Sequence, residues 1–416
     1  MQQLSLSEIF AKQHDAQLAR PYNLGLILAA VALFSIGFII ITSASMPVAD
    51  RLHDNPYHFA IRHGIYILLA LVVAMFTISL PMRFWRVFNP YLLFIAAGML
   101  LTVLIVGTPI NGAKRWIVAG PITIQSAELA KLFFFLYLAG YLVRHYEQVQ
   151  ENIWGFVKPI FVLCVLSFML LLQPDFGTVV VMFSTTLALL FLAGARLWQF
   201  FALIFGAVVM VVFLIVSSEY RKARITGFLN PWDDPFNSGY QLTQSLMAYG
   251  RGSWTGQGLG NSLQKLEFLP EAHTDFIMSI LAEELGYIGV LVVMLLVFYI
   301  IITALRIGSL ALNNERPFEA FIAYAIGVWF CLQTAINIGG GSGLLPTKGL
   351  TLPLVSYGGS SLIVMTIAVS ILIRIDFEMR VDGIQAMPKG SRKKAQPKPK
   401  SKRKAQSESV SEVSEI

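Results

Sequence analysis

The chain has 416 residues, is 56% hydrophobic and only 13% charged. A water-soluble protein of this size needs more polar surface, so its long apolar stretches point to membrane spans. The net charge of +7 sits at one end: residues 389–404 hold nine Lys and Arg and no acid, and seven less nine leaves −2 for everything else. No nucleic-acid partner is expected from a basicity confined to a tail.

In chain order, residues 1–21 read as a cytoplasmic N-terminal segment. The first apolar run, Asn23–Ser43, is too long for the core of a cleavable signal and reads as a retained span. Ten spans follow from the apolar runs: 22–44, 59–80, 88–107, 124–143, 157–173, 177–194, 197–216, 275–305, 317–340 and 350–373. The expected fold class is therefore an all-α integral membrane protein of ten transmembrane helices. A long extracytoplasmic loop, 217–274, joins spans seven and eight. With the N-terminus inside, the inner loops carry Lys12, Arg20, Arg83, Arg86, Arg144, Arg196, Arg306 and Arg316. The short outer loops carry only Arg51, Lys114, Arg115 and Lys348. Both termini are then cytoplasmic. Residues 22–376 form the membrane domain, and 377–416 a disordered basic tail able to touch anionic lipid.

The loop 217–274 is rich in Gly, Trp, Tyr, Asn and Gln, with too few aliphatic runs for a domain of its own. It reads as a lid or vestibule over the membrane part. No phosphate-binding loop and no dinucleotide fingerprint occurs, so the chemistry does not use ATP. Cys164 and Cys331 lie in apolar runs, and the six histidines lack ligand spacing, so neither a disulfide nor a metal site is expected.

Four constellations can carry chemistry. Asn111-Gly112-Ala113-Lys114-Arg115-Trp116 places two cations and an indole outside, which suits an anionic, amphipathic ligand; it equally suits an interfacial anchor. In Gln125-Ser126-Ala127-Glu128-Leu129-Ala130-Lys131, Glu128 and Lys131 share a helix face inside the membrane. They can pair structurally or line a wet cavity. Pro270-Glu271-Ala272-His273-Thr274-Asp275-Phe276 sets a carboxylate at the outer edge beside a His and a hydroxyl. It reads as a base with raised pKa, or as a cap in which Thr274 or Asp275 opens the next helix. The stretch 339–361, with Gly339-Gly340-Gly341, Lys348 and Ser356-Tyr357-Gly358-Gly359-Ser360-Ser361, breaks the helical pattern. Such a break belongs in a cavity lining or in close helix packing. Two further signals are Gln173-Pro174-Asp175-Phe176-Gly177-Thr178, a turn with an N-cap, and Glu283-Glu284, a packing or switch element inside span eight.

Eight strings occur in one order: NGAKRW at 111–116, QPDFGT at 173–178, NPWDDPF at 230–236, SGYQLTQSLMAYGRG at 238–252, GQGLGNS at 256–262, LPEAHTDFI at 269–277, AEELG at 282–286 and LPTKGLTLPLVSYGGSS at 345–361. Together they make the chain resemble the SEDS family of lipid-linked peptidoglycan glycosyltransferases over residues 22–376. The last string resembles its division branch rather than its elongation branch. The resemblance implies polymerisation of lipid II at the septum of the bacterial cytoplasmic membrane. It also implies a class B penicillin-binding transpeptidase and other divisome membrane proteins as partners. The family's catalytic acid maps to Asp275. Family members usually carry Pro where Ser126 stands here.

The expected reaction has Asp275 as general base for the acceptor 4-hydroxyl and undecaprenyl diphosphate as leaving group, with inversion at the anomeric carbon. Lys114, Arg115, Trp116, Glu128, Lys131, Glu271, His273, Thr274, Lys348 and Ser356 are the expected substrate-binding residues, with Arg221 or Arg224 in reserve. No protein metal site is expected, although Mg or Mn could accompany the diphosphate. A lipid II flippase and a non-catalytic divisome scaffold are the competing readings.

Overall fold

A computed structural model describes residues 22–110, 113–119, 122–217, 226–346 and 349–386. The N-terminal segment 1–21 and the tail from 387 lie outside the described residues, as do Arg221, Arg224 and Lys348.

Each of the ten expected spans contains a helix, but the tenth, expected from 350, is non-helical until Gly359, because Pro353 and Gly358 interrupt it. In order the helices are α1 (Leu24–His53), α2 (His58–Ser79), α3 (Met82–Val106), α4 (Ser126–Arg144), α6 (Ile153–Leu172), α7 (Phe176–Leu192), α8 (Leu197–Val216), α10 (Ile277–Asn313), α11 (Pro317–Gly341) and α12 (Gly359–Ala386). The short α5 (Tyr146–Glu151) links α4 to α6, and α9 (Tyr240–Gly252) lies in the long loop. Among the described residues, eight helices are long and apolar enough to cross a membrane; α7 and α8 supply two shorter apolar stretches.

Local chemistry sets several ends. The Asn23 side chain accepts from Leu26 N at 3.1 Å and opens α1. Asp175 opens α7, accepting from Thr178 N at 3.2 Å and from Thr178 Oγ1 at 2.8 Å, so the expected turn and cap is real. The tail expected to begin at 377 as a disordered segment is helical at its start. α12 continues through Ala386, because Arg374–Glu378 (2.8 Å) and Arg380–Asp376 (2.6 Å) pair at helical spacing and Arg316 reaches across to Glu378 and Asp382.

The all-α expectation needs one correction. Strands β1 (Thr108–Ile110), β2 (Ala113–Ala119) and β3 (Ile122–Gln125) form an antiparallel sheet in the order β1-β2-β3. Trp116 faces Gln125 and Ile117 faces Ile124 in the ladder. Runs of Ile, Val and Thr favour a pleated surface, and each run is bounded by a turn signal, Asn-Gly or Gly-Pro. Ser360 at the start of α12 ties the sheet down. Its Oγ donates to Thr123 O and accepts from Gln125 N, each at 2.9 Å.

α4 and α12 are the most buried of the spanning helices, and α2 and α3 the most exposed. Large apolar side chains on the exposed helices, such as Phe76 and Phe94, match an apolar solvent better than water.

α10 is interrupted at Gly286, whose φ of 69° and ψ of −171° are helical for no residue. The loop after α9 fills the break. Gln257 N and Gly258 N donate to the carbonyls of Glu283 (2.9 Å) and Glu284 (3.0 Å), while Tyr287 N and Ile288 N donate to Ser253 O (3.0 Å) and Trp254 O (3.3 Å). Four of the backbone groups freed by the break are thereby paired again. Glu283 and Glu284 are wholly buried and hold the same loop by side chain. Glu283 takes Arg251 at 2.9 Å, Leu263 N at 3.0 Å and the Ser262 hydroxyl; Glu284 takes Lys265 and Ser43, at 2.8 and 2.7 Å. The doubled acid is thus a packing element that docks the long loop on α10.

Candidate active site

Asp275 lies just before α10, at the end of the bundle that also carries the sheet. Neither Thr274 nor Asp275 caps the helix: Phe276 occupies that position and makes no side-chain cap bond. Instead the segment 271–276 winds around one carbonyl. Glu271 O accepts from Thr274 N (3.2 Å), Phe276 N (3.3 Å) and Thr274 Oγ1 (3.1 Å), and Thr274 Oγ1 also donates to Glu271 Oε2 at 2.8 Å. Glu271 takes a positive φ of 55° to make this turn.

The backbone around Asp275 is fixed from two sides. Asn337 Nδ2 on α11 donates to Asp275 O at 2.9 Å and to Leu350 O at 2.7 Å. Tyr357 N donates to His273 O at 3.1 Å. The side chains of Phe59, His273 and Tyr357 meet as an aromatic box, with ring centroids 5.1 to 5.6 Å apart.

The carboxylate itself makes no hydrogen bond or ion pair among the described residues, and Gly349 lies against it. Part of Asp275 stays open to solvent, yet protein atoms crowd the carboxylate as they would in an interior. Burial, and then the Glu271 charge, push its pKa up to about 7; Arg115 opposes this and Asp175 adds to it. Burial holds the His273 imidazole below its ordinary value, against the pull of Glu271, so it is neutral at pH 7.

Arg115 on β2 is anchored, not loose. Its Nε donates to Gln173 O at 3.0 Å and its Nη2 to Pro174 O at 2.6 Å, which clamps the sheet to the α6–α7 turn. The remaining N–H groups stay available to an anion. Lys114 is exposed beside it, and Trp116 is half-buried in the same strand.

Glu128 and Lys131 do not reach the open site. They form a buried ion pair at 2.9 Å, and Lys131 also donates to Gln333 Oε1 at 3.0 Å and lies 5.1 Å over the Trp329 ring. Gln333 Nε2 passes the contact on to Thr351 O at 2.8 Å, and Thr351 Oγ1 meets Ser361 Oγ at 2.7 Å. Gln333 and Asn337 are one helical turn apart on α11. The pair therefore props up the segment 349–352 from below while Asn337 ties that segment to Asp275. Ser356 is buried as well, and its Oγ accepts from Leu352 N at 2.8 Å within the same segment.

Among the described residues no three His, Cys, Asp or Glu side chains converge as a metal site. A divalent cation carried on a diphosphate would find only Asp275 and Glu271 in this turn, so no step is routed through one. Phe59, Gln333 and Asn337 are contributors that the sequence did not single out. Gly349 and Tyr357 stand inside a quoted string; Phe59, Gln333 and Asn337 carry no comparable signal.

A family model described as Cell cycle protein, covering FtsW, RodA and SpoVE, matches residues 24–381. The chain belongs to this family. Among its FtsW relatives is the probable peptidoglycan glycosyltransferase FtsW of Alteromonas naphthalenivorans, 66% identical over 95% of this chain and 77% of that protein. The FtsW of Escherichia coli O6:H1 is 52% identical over 92% of both chains. Among solved structures, a chain of a peptidoglycan synthase complex that coordinates polymerization and crosslinking superposes with a TM-score of 0.70 at 26% identity, covering 86% of this chain and 98% of that one. The Thermus thermophilus rod shape determining protein RodA gives 0.63 at 25% identity, over 85% and 96%.

Proposed function

We propose that this FtsW-type chain is a peptidoglycan glycosyltransferase that polymerises lipid II, with Asp275 as general base. The observation that carries the reading is the Asp275 carboxylate: half-open, unbonded among the described residues, and with its pKa pushed up to about 7. Such a group takes a proton readily at neutral pH. It draws the proton from the acceptor 4-hydroxyl, whose oxygen attacks the anomeric carbon of the donor. The C–O bond to undecaprenyl diphosphate breaks, and the configuration inverts.

The leaving group departs as an anion and needs cations rather than an acid. Arg115 is pre-oriented by two carbonyls and Lys114 stands beside it; Lys348 is assigned the same role from sequence. His273, Thr274 and Glu271 shape the turn that presents Asp275. Glu128, Lys131 and Ser356 are assigned to support the segment around Gly349 rather than to touch substrate. A wholly apolar groove of about 560 Å³, lined by Phe38, Thr42, Tyr57, Ala60, Ile61 and Gly64, lies on α1 and α2 beside Phe59 and suits a polyprenyl chain.

The finer topology belongs to the same proposal: ten spans, both termini cytoplasmic, and the loop between spans seven and eight outside. So do action at the septum with a class B penicillin-binding transpeptidase and location in the bacterial cytoplasmic membrane. Transport alone gives no reason for a base at Asp275, and the buried Glu128–Lys131 pair offers no charged path. The test is Asp275→Asn in purified protein with its transpeptidase partner and lipid II, read as glycan strands on a gel. No strands are expected; wild-type rates would overturn the assignment.

A further inference from the structure

At the end of the bundle opposite Asp275, a cavity of about 660 Å³ opens between α3, α4, α11 and α12. α4 and α12 start beside the sheet, so Arg144 and Glu378, which line this cavity, lie at their far ends. Its lining carries both signs, and Arg316 and Glu378 within it pair with each other. Beyond that pair stand the cations Arg83, Arg86 and Arg144 and the acids Glu315 and Glu319.

These charges are left over after local pairing. Arg316 is taken by Glu378 and Asp382, and Glu378 also holds Arg374 and the Met82 amide. Arg83 and Arg86 have no carboxylate partner among the described residues, and Arg144 donates only to the neutral Asn89 Oδ1, at 3.2 Å. Glu319 lines the cavity with 8% of its surface exposed and no hydrogen bond or ion pair among the described residues. Its carboxylate oxygens are not sealed in protein but face the cavity, where a cation can reach them. Arg83, Arg86 and Arg144 form no ion pair with it among the described residues.

The cavity also meets the apolar perimeter. Val87 lines it and is 56% exposed; Tyr91 and Phe94 continue up the same face of α3, 64% and 74% exposed. Spacings of four and three residues keep these side chains in one stripe along the helix. A ligand with an acyl chain can lie on that stripe with its headgroup in the cavity.

From this bipolar cavity and its apolar track we infer a binding site for a zwitterionic phospholipid headgroup of the phosphoethanolamine type. The phosphate lies on Arg83, Arg86 and Arg144, and the primary ammonium donates to Glu319 and Glu315. The site is separate from glycosyl transfer and does not depend on how Asp275 works.

The experiment is native mass spectrometry of the full chain in detergent. It is titrated with phosphatidylethanolamine, phosphatidylglycerol and phosphatidylcholine of identical acyl chains, with free phosphoethanolamine as competitor. Wild type is expected to retain phosphatidylethanolamine about tenfold better than phosphatidylglycerol, which lacks the ammonium, or phosphatidylcholine, whose ammonium has no N–H to donate. Arg83→Gln with Arg86→Gln lowers retention of phosphatidylethanolamine and phosphatidylglycerol alike. Glu319→Gln removes the preference between them. Glu315→Gln, at an exposed position, weakens it and guards against a folding effect of the buried change. Displacement of the lipid by free phosphoethanolamine supports headgroup recognition. Equal retention of the three lipids by wild type, retention unchanged in the arginine variant, or no displacement by the free headgroup overturns the site.

Discussion

A β-carbon added at Gly349 would stand 3.0 Å from Oδ2 of Asp275. That is closer than side chains normally approach, so the absence of a side chain at 349 leaves the carboxylate its position. Gly349→Ala would push the Asp275 side chain by a few tenths of an ångström without touching the core. A displacement of that size at a reacting group is expected to lower the polymerisation rate about tenfold. The melting temperature should hold, because Gly349 is exposed. An unchanged rate would mean that the carboxylate position is not critical.

The pH profile follows from the electrostatics of the same group. A base must be ionised, so the rate should rise with pH through about 7 and level above it. Glu271→Gln removes a charge that raises this pKa and should move the rising limb to lower pH. Arg115→Gln removes the charge that lowers it and should move the limb up, besides reducing the rate. Limbs that fail to move in opposite directions would contradict this arrangement.

Stability is linked to the same proton. The Asp275 carboxyl holds its proton more tightly folded than unfolded, so the wild type loses stability as pH rises from the ordinary 3.8 to about 7. Asp275→Asn does not titrate. Its melting temperature should therefore exceed wild type by a margin that grows over that window and stays full at pH 8. A scan from pH 4 to 8 checks the trend, and a margin that shrank with rising pH would have the wrong sign.

The Glu128–Lys131 pair is buried on both sides, so breaking it should be worse than removing it. Lys131→Met leaves a buried carboxylate with no cation and is expected to destabilise by about 3–5 kcal/mol. Adding Glu128→Gln should recover most of the loss, seen as a rise in melting temperature in detergent. A double variant no better than the single would show that the stranded Glu128 carboxylate is not what causes the loss.

Much of the helical layout was legible because a membrane forces long apolar runs. Asp175 at its turn and Glu128 with Lys131 at helical spacing could also be read directly. What stayed hidden depends on contacts distant in sequence. Gln333 lies 202 residues from Lys131, and Phe59 meets His273 only through folding. The sheet was concealed differently: its strands are only 3, 7 and 4 residues long, and the charged Lys114 and Arg115 interrupt the longest. The capping expectation for Thr274 and Asp275 failed because Glu271 O already gathers the donors of that turn.

The break in α10 supplies a test of how the long loop is held. Gly286 has φ 69° and ψ −171°, a region open only to glycine, and a β-carbon there would overlap Gly256 N and Trp254 O. Gly286→Ala therefore adds backbone strain of about 1–3 kcal/mol and separates the two segments whose four backbone hydrogen bonds close the break. Limited proteolysis should then cut within 253–262 far faster than in wild type. Asp275 follows this loop and lies two residues before α10, so polymerisation should fall as well. Gly98→Ala is the matched control: Gly98 lies in the middle of α3 with nothing within 4 Å of an added β-carbon. There the same change should stabilise by about 0.5–1 kcal/mol and leave the loop protected. Equal protection of the loop in the two variants would show that the Gly286 break is not its anchor.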